Sequence, residues 1–231
     1  MPGQLQEMKK ERNNDVVKAA IFDMDGLMFD TERLAADGWK YAGEVLGFEI
    51  DDGKLSQTRG RNVADARSLF LKWYGDQVDY DEARSLRCEY LNSRLRQYGM
   101  PIKEGLTELL AYLKEKGYKR ALATSTHRET VEWYFELAGL PLDFEAVVCG
   151  DEVENSKPAP DVFLKAAKKL DTDPGMCLVL EDSPNGIRAG ASAGCKVVMV
   201  PDLDMPTEET QKLCMKICEN LREVKEILEA F

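Results

Sequence analysis

Short apolar runs recur along this chain, each separated from the next by a segment of helix length. Residues 16–22 (VVKAAIF) end at Asp23, and runs of the same kind cover 120–124 (RALAT), 146–150 (AVVCG), 176–180 (MCLVL) and 196–200 (KVVMV). Short continuous apolar runs of this sort predict buried strands. The segments 104–116, 129–138, 160–170 and 185–193 supply helices between them, and Gly117, Gly139 and Gly194 fall where a left-handed residue closes a helix. Strand alternating with helix predicts an α/β core: a parallel sheet with helices on both faces.

Residues 32–99 break the alternation. They contain no convincing buried strand and read as amphipathic helices near 33–46, 63–74 and 81–98. This block begins just after the first strand, so it predicts a mostly helical domain inserted into the α/β core. The expected division is a flexible tail over 1–14, a core formed by 15–31 and 100–231, and the helical insertion over 32–99. The last stretch, 207–228, predicts one helix packed on the sheet, started by Thr207 with Glu208 and Glu209.

Composition narrows the function classes. The chain has 231 residues, enough for one domain with a sizeable insertion. Lys and Arg number 31 against 42 Asp and Glu, a formal net charge of −11. That argues against nucleic acid or an anionic membrane as the main partner, because both need a basic face. An anionic small molecule stays compatible, since a pocket can be locally positive. No secretory signal and no apolar stretch of about 18 residues is expected. The six cysteines, at 88, 149, 177, 195, 214 and 218, form no CxxC, and His127 is the only histidine. A soft-metal site is therefore not expected, and the pattern suits a reducing cytoplasm. Cys214 and Cys218, four apart, predict two thiols on one buried helical face. A monomer is expected.

Four segments carry candidate chemistry. Asp23-Met24-Asp25-Gly26 sets two carboxylates at the exit of the first strand. They need a cation or a hydrogen-bond cradle, and a hard ion such as Mg2+ fits; an Asp-rich turn capping a helix is the alternative. Thr124-Ser125-Thr126 offers hydroxyls and amides before a helix, suited to phosphate or to ordinary capping. Lys157 stands in 156–161 (SKPAPD) between a serine and two prolines, suited to a phosphoryl group or a carboxylate pair, or to solvent. Glu181 and Asp182 form a second acidic pair at a strand end, again a site or a cap. All four lie at the carboxyl ends of expected parallel strands, where open α/β sheets bind ligands. Two acids, hydroxyls with amides, one lysine and a second acid pair match Mg2+-assisted phosphoryl transfer through a carboxylate nucleophile.

With these residues in their order, FDMDGLMFDTE (22–32), LATS (122–125), SKPAPDVF (156–163) and EDSPNGIRAGASAG (181–194), the chain resembles the haloacid dehalogenase-like (HAD) superfamily. Its nearest likeness is to the β-phosphoglucomutase and sugar-phosphate phosphatase subgroup. The resemblance spans residues 16 to about 200 and implies a Rossmann-like, doubly wound core with an inserted helical cap. It implies Asp23 as nucleophile and Asp25 as general acid, then base. Thr124 and the Ser125 amide would hold the phosphoryl group, and Lys157 would offset charge. Asp23, the Asp25 carbonyl and Asp182 would ligate Mg2+, with Glu181 supporting that shell. The substrate implied is a small phosphorylated metabolite.

Within the superfamily, a haloalkanoate dehalogenase needs neither the second Asp nor the metal pair. A phosphonate-cleaving Schiff base would need a cap lysine, for which Lys40, Lys54 and Lys72 are candidates, yet Asp25 argues against it. A mutase resembling β-phosphoglucomutase would carry a His where Ala35 stands and a distal-phosphate Arg near Val63. Their absence favours hydrolysis, with the mutase as the alternative and with Arg59 and Arg61 as cap specificity candidates. Arg84 and Arg87 read as solvated charges. A phospho-accepting receiver domain is about half this length and lacks both the insertion and the DxD spacing. A catalytically dead binding protein fits poorly, because no core motif position is lost.

Overall fold

The computed structural model describes residues 16–229. The expected tail at 1–14 lies outside the described residues. Six parallel strands form one sheet in the order β3-β2-β1-β4-β5-β6. They are β1 (Ala19–Phe22), β2 (Lys119–Ala123), β3 (Ala146–Val148), β4 (Cys177–Glu181), β5 (Lys196–Met199) and β6 (Lys216–Ile217).

Alternate residues of each central strand feed opposite apolar layers. Ala20 and Phe22, Leu178 and Leu180, and Leu122 and Val198 join one cluster. Ala19 and Ile21, Cys177 and Val179, and Val197 and Met199 join the other. The first layer is closed by α5 (Leu106–Lys116), α6 (Arg128–Ala138) and α10 (Leu221–Glu229). The second is closed by α7 (Asp161–Lys169) and α8 (Pro184–Ser192). Burial on both faces is why the strands read as unbroken apolar runs.

The insertion holds four helices: α1 (Thr31–Leu46), α2 (Asp52–Thr58), α3 (Val63–Tyr74) and α4 (Tyr80–Tyr98). Only α2 is absent from the sequence expectation; the Asp51 side chain starts it by accepting from the Lys54 amide. The insertion has its own apolar cluster, around Trp39, Phe48, Leu55, Phe70 and Tyr80. The far end of α4 does not belong to it. Leu91 and Leu95 pack with Met24, Leu27 and Phe29 in the sheet-side layer. The chain enters and leaves the insertion side by side: the Asp30 amide donates to the Pro101 carbonyl and the Lys103 amide to the Met28 carbonyl, each at 2.9 Å.

The carboxyl-terminal stretch corrects two expectations. In place of one helix over 207–228 there are α9 (Glu208–Leu213), then β6, then α10. The exposed edge of β5 captures the chain, with the Met215 and Cys218 amides each donating at 2.8 Å to the Val197 and Met199 carbonyls. Cys214 and Cys218 therefore share no helical face; Cys214 follows α9 and is half-buried, and Cys218 follows β6 and is buried. No helix among the described residues is long and apolar enough to cross a membrane.

Phe70 is 1% exposed, and the rings of Trp39, Tyr80, Tyr74 and Phe48 surround it at centroid distances of 4.8 to 6.0 Å. Phe70→Ala should cost about 3–5 kcal/mol of stability through lost burial and a cavity. Urea unfolding followed by tryptophan fluorescence measures it, and a loss below about 1 kcal/mol would contradict an insertion core centred on this ring.

Candidate active site

Asp23, Thr124 and Asp182 each stand one residue beyond a strand, at the ends of β1, β2 and β4, and Glu181 is the last residue of β4. The parallel register aligns these ends at one edge of the sheet. Lys157 reaches the same point from the loop before α7, with a fully buried side chain. Its ammonium donates to Asp23 Oδ1, to Glu181 Oε1 at 2.7 Å and to the Ala123 carbonyl at 3.3 Å. Glu181 Oε2 accepts from the Asp182 and Ser183 amides at 2.9 and 2.8 Å and from the Ser183 hydroxyl at 3.0 Å. Glu181 thus ties the loop after β4 to the lysine.

Two glycines make this packing possible. Gly26 has φ +86° and turns the chain so that Asp182 lies where a Cβ would be. A Cβ at Gly186 would overlap the Glu181 carboxylate.

Asp25 is held separately. Its Oδ1 accepts from the Thr31 hydroxyl and its Oδ2 from the Thr126 hydroxyl, each at 2.7 Å. Thr31 was not among the expected site residues, although it stands inside FDMDGLMFDTE at the start of α1. The Ser125 hydroxyl donates at 2.7 Å to the carbonyl of Gly60 in the insertion.

The cluster is short of positive charge. Ligand oxygens of Asp23, Glu181 and Asp182 lie within 4.8 Å of one another, all three residues being buried, and Lys157 is the one ammonium among them. Burial pushes the Asp23 carboxyl well above its ordinary value; Lys157 pulls against this, and the Glu181 and Asp25 charges add to it. Asp182 is raised by burial, then by Glu181 and Asp23. Burial works against the charge on Lys157, but Asp23 and Glu181 outweigh it and hold the ammonium above the ordinary lysine range. Crowded hard oxygen donors with uncompensated charge fit a divalent ion such as Mg2+.

A cavity of about 330 Å3 opens between this edge and the insertion. Arg59 is 7% exposed and committed: Nη1 donates to Asp204 at 2.6 Å, Nε lies 3.8 Å from Glu32, and its carbonyl accepts from the Asn185 side chain at 2.8 Å. Arg61 is half-buried, and its Nε donates to the Gln57 carbonyl at 2.8 Å. Val63 lines the cavity, and Ala35 is buried within α1. None of Lys40, Lys54 and Lys72 lines it, so a cap-lysine Schiff base has no lysine at the site.

Arg87 departs from the solvated reading. Arg84, Arg87, Cys88, Leu91 and Asn92 form one face of α4 and line the cavity. Arg87 Nε is buried without a partner, and Nη1 makes only a long bond, 3.7 Å, to Cys88 Sγ. The i, i+3, i+4, i+7, i+8 spacing was the available signal; two arginines on it read as a polar face because the wall opposite lay out of sight.

Glu32, also on the cavity wall, has its carboxyl pushed up to about 7 by burial and by the Asp25 charge, against Arg87 and Arg59. Folded Glu32 keeps its proton to about pH 7, whereas the unfolded chain loses it near 4.5. Its contribution to stability is complete below about 4.5 and is lost as pH rises through 7. Glu32→Gln should therefore gain thermal midpoint on the wild type, in EDTA, as pH rises across that window, and level off above it. Differential scanning fluorimetry reads this, and a constant gap between the two proteins would contradict the shift.

Residues 20–200 match the family described as haloacid dehalogenase-like hydrolase. The chain is 36% identical over 208 residues to a probable pseudouridine-5'-phosphatase of Drosophila melanogaster, covering 84% of this chain and 86% of that one. It is 32% identical over 183 residues to a phosphorylated carbohydrates phosphatase of Thermotoga maritima, covering 77% and 82%. A β-phosphoglucomutase structure from Clostridium difficile shares the fold with a TM-score of 0.78 at 22% identity, covering 93% and 96%. The chain thus belongs to the haloacid dehalogenase-like hydrolases, as a phosphoric monoester hydrolase of that family.

Proposed function

We propose that this enzyme is a Mg2+-dependent phosphatase that hydrolyses a small sugar phosphate through an aspartyl-phosphate on Asp23, with residues 32–99 acting as its cap. The observation that carries the reading is the separate fixing of two carboxylates at one cavity. Asp23 is gripped through Oδ1 by Lys157, and Asp25 is oriented by two threonine hydroxyls. Names of the Drosophila and Thermotoga relatives support a phosphorylated sugar.

In the first half-reaction the free oxygen of Asp23 attacks phosphorus, the bond from phosphorus to the leaving oxygen breaks, and Asp25 gives that oxygen its proton. In the second, Asp25 takes a proton from water, the water oxygen attacks phosphorus, and the bond to Asp23 breaks. Phosphate leaves and both aspartates return to their starting states. Thr124 and the Ser125 amide hold the phosphoryl oxygens, and Lys157 offsets the charge that gathers beside Asp23. Asp23, Asp182 and the Asp25 carbonyl would hold Mg2+, with Glu181 fixing the Asp182 loop. Bound there, the ion supplies positive charge against which a phosphate dianion can approach the acidic cluster.

Hydrolysis is favoured over mutase chemistry because Ala35 and Val63 stand at the positions of the mutase His and distal-phosphate Arg, and Arg59, close to the second of these, is engaged with Asp204. The test is phosphate release from a panel of sugar monophosphates with Mg2+. EDTA should abolish release and added Mg2+ restore it; full activity in metal-stripped protein would overturn the metal assignment. Asp23→Asn should lose several orders of magnitude in kcat. Retention of more than about a tenth of wild-type turnover would remove Asp23 as nucleophile. From β-glucose 1-phosphate, inorganic phosphate should form faster than glucose 6-phosphate; tenfold the other way would make the mutase the better reading.

A further inference from the structure

The wall of the cavity formed by the start of α1 and one face of α4 carries two groups that the phosphoryl chemistry does not use. Glu32 presents a carboxyl and Arg87 a guanidinium. They line one cavity, yet no ion pair joins them. Arg87 Nε has no hydrogen-bond partner, and among the described residues Glu32 has its ion-pair contact with Arg59, at 3.8 Å. A buried guanidinium donor left unsatisfied is costly, as is a buried carboxyl without a strong partner. Gly38 helps to set Arg87 here, because a Cβ on α1 at that position would lie 2.9 Å from the Arg87 carbonyl and push the helices apart.

We propose that Glu32 and Arg87 together grip a neutral, hydroxyl-bearing leaving group, so that the enzyme takes sugar monophosphates and discriminates against esters that carry a second phosphate. A sugar hydroxyl both donates and accepts, and this wall offers one acceptor beside one donor. A second phosphate offers only acceptors. It would satisfy Arg87 but set phosphate oxygens against the acceptor oxygens of Glu32, and Arg59, which could have added a donor there, is spent on Asp204. Asn92, one helical turn along the same face, adds both donor and acceptor capacity for a further hydroxyl. Arg84 on that face is half-buried and lines the same cavity. This inference rests on the phosphatase reading above and deepens it to a substrate class.

The experiment measures kcat and KM with Mg2+ for D-ribose 5-phosphate, fructose 6-phosphate, fructose 1,6-bisphosphate and p-nitrophenyl phosphate, whose leaving group has no sugar hydroxyls. Wild-type kcat/KM should be at least about tenfold higher for fructose 6-phosphate than for the bisphosphate. In Arg87→Ala and Glu32→Gln, the ratio of kcat/KM for the better sugar phosphate to that for p-nitrophenyl phosphate should fall by about tenfold or more, chiefly through KM. Arg87→Lys keeps the charge without the Nε donor and should fall between, which also covers an Arg87→Ala protein that does not fold. Preference for the bisphosphate, or variants in which both classes of ester fall in step, would overturn the proposal and leave the phosphatase intact. Absence of Asp23-dependent phosphate release from every ester would overturn the phosphatase reading, and this inference with it.

Discussion

A single buried ammonium holds the catalytic edge together. Lys157 has no solvent to fall back on, and its charge is stable only because Asp23 and Glu181 stand on either side of it. For Asp23 the two effects oppose each other: burial pushes its carboxyl up and Lys157 pulls against it. Removing one member of such a set leaves an uncompensated charge in a low-dielectric interior, so the cluster is stable as a unit and poor in pieces. Three separate chain segments must therefore arrive together: the ends of β1 and β4 and the loop before α7. The order of the sheet, with β1 beside β4, makes that meeting possible.

Beyond the apolar seam that Leu91 and Leu95 make with Met24, Leu27 and Phe29, the core and the insertion meet through polar contacts. The stretch from Arg59 to Asp65 touches the core at Asn185, Asp204, Ser125 and Ser156, each through a hydrogen bond. The apolar seam fixes the foot of α4 to the core, whereas polar contacts of this kind exchange with water at small net cost. Ser125 is part of both systems, since it stands in the loop after β2 that lines the cavity and its hydroxyl holds Gly60.

The core was legible in the sequence because its signals are local. Strand ends carry Asp23, Thr124 and Asp182, and an apolar run stopping at a polar residue marks such an end without knowledge of the fold. The bounds of α3 and the carboxyl ends of α1, α4, α5 and α6 were equally plain. What escaped depends on partners distant in sequence. Residues 214–218 look helical by composition, and only the open edge of β5 makes them extended. Thr31 matters through Asp25, and Arg87 through Glu32 and the α1 backbone. A polar side chain on a helix carries no mark of whether water or a cavity lies opposite it.

The insertion leaves the core at Asp30 and returns at Pro101, and these two points are hydrogen-bonded neighbours. A segment whose ends already meet adds little closure entropy to the parent fold, however long it is. The sheet then imposes few requirements on the length or helix content of what lies between, provided both ends keep their places beside Phe29 and Ile102, which themselves form a bridge, and apolar side chains fill the places of Leu91 and Leu95. For lineage and for engineering alike, this makes the stretch a replaceable cassette. One sheet edge can be refitted with a different insertion, and so with a different cavity wall, without redesign of the cluster around Lys157.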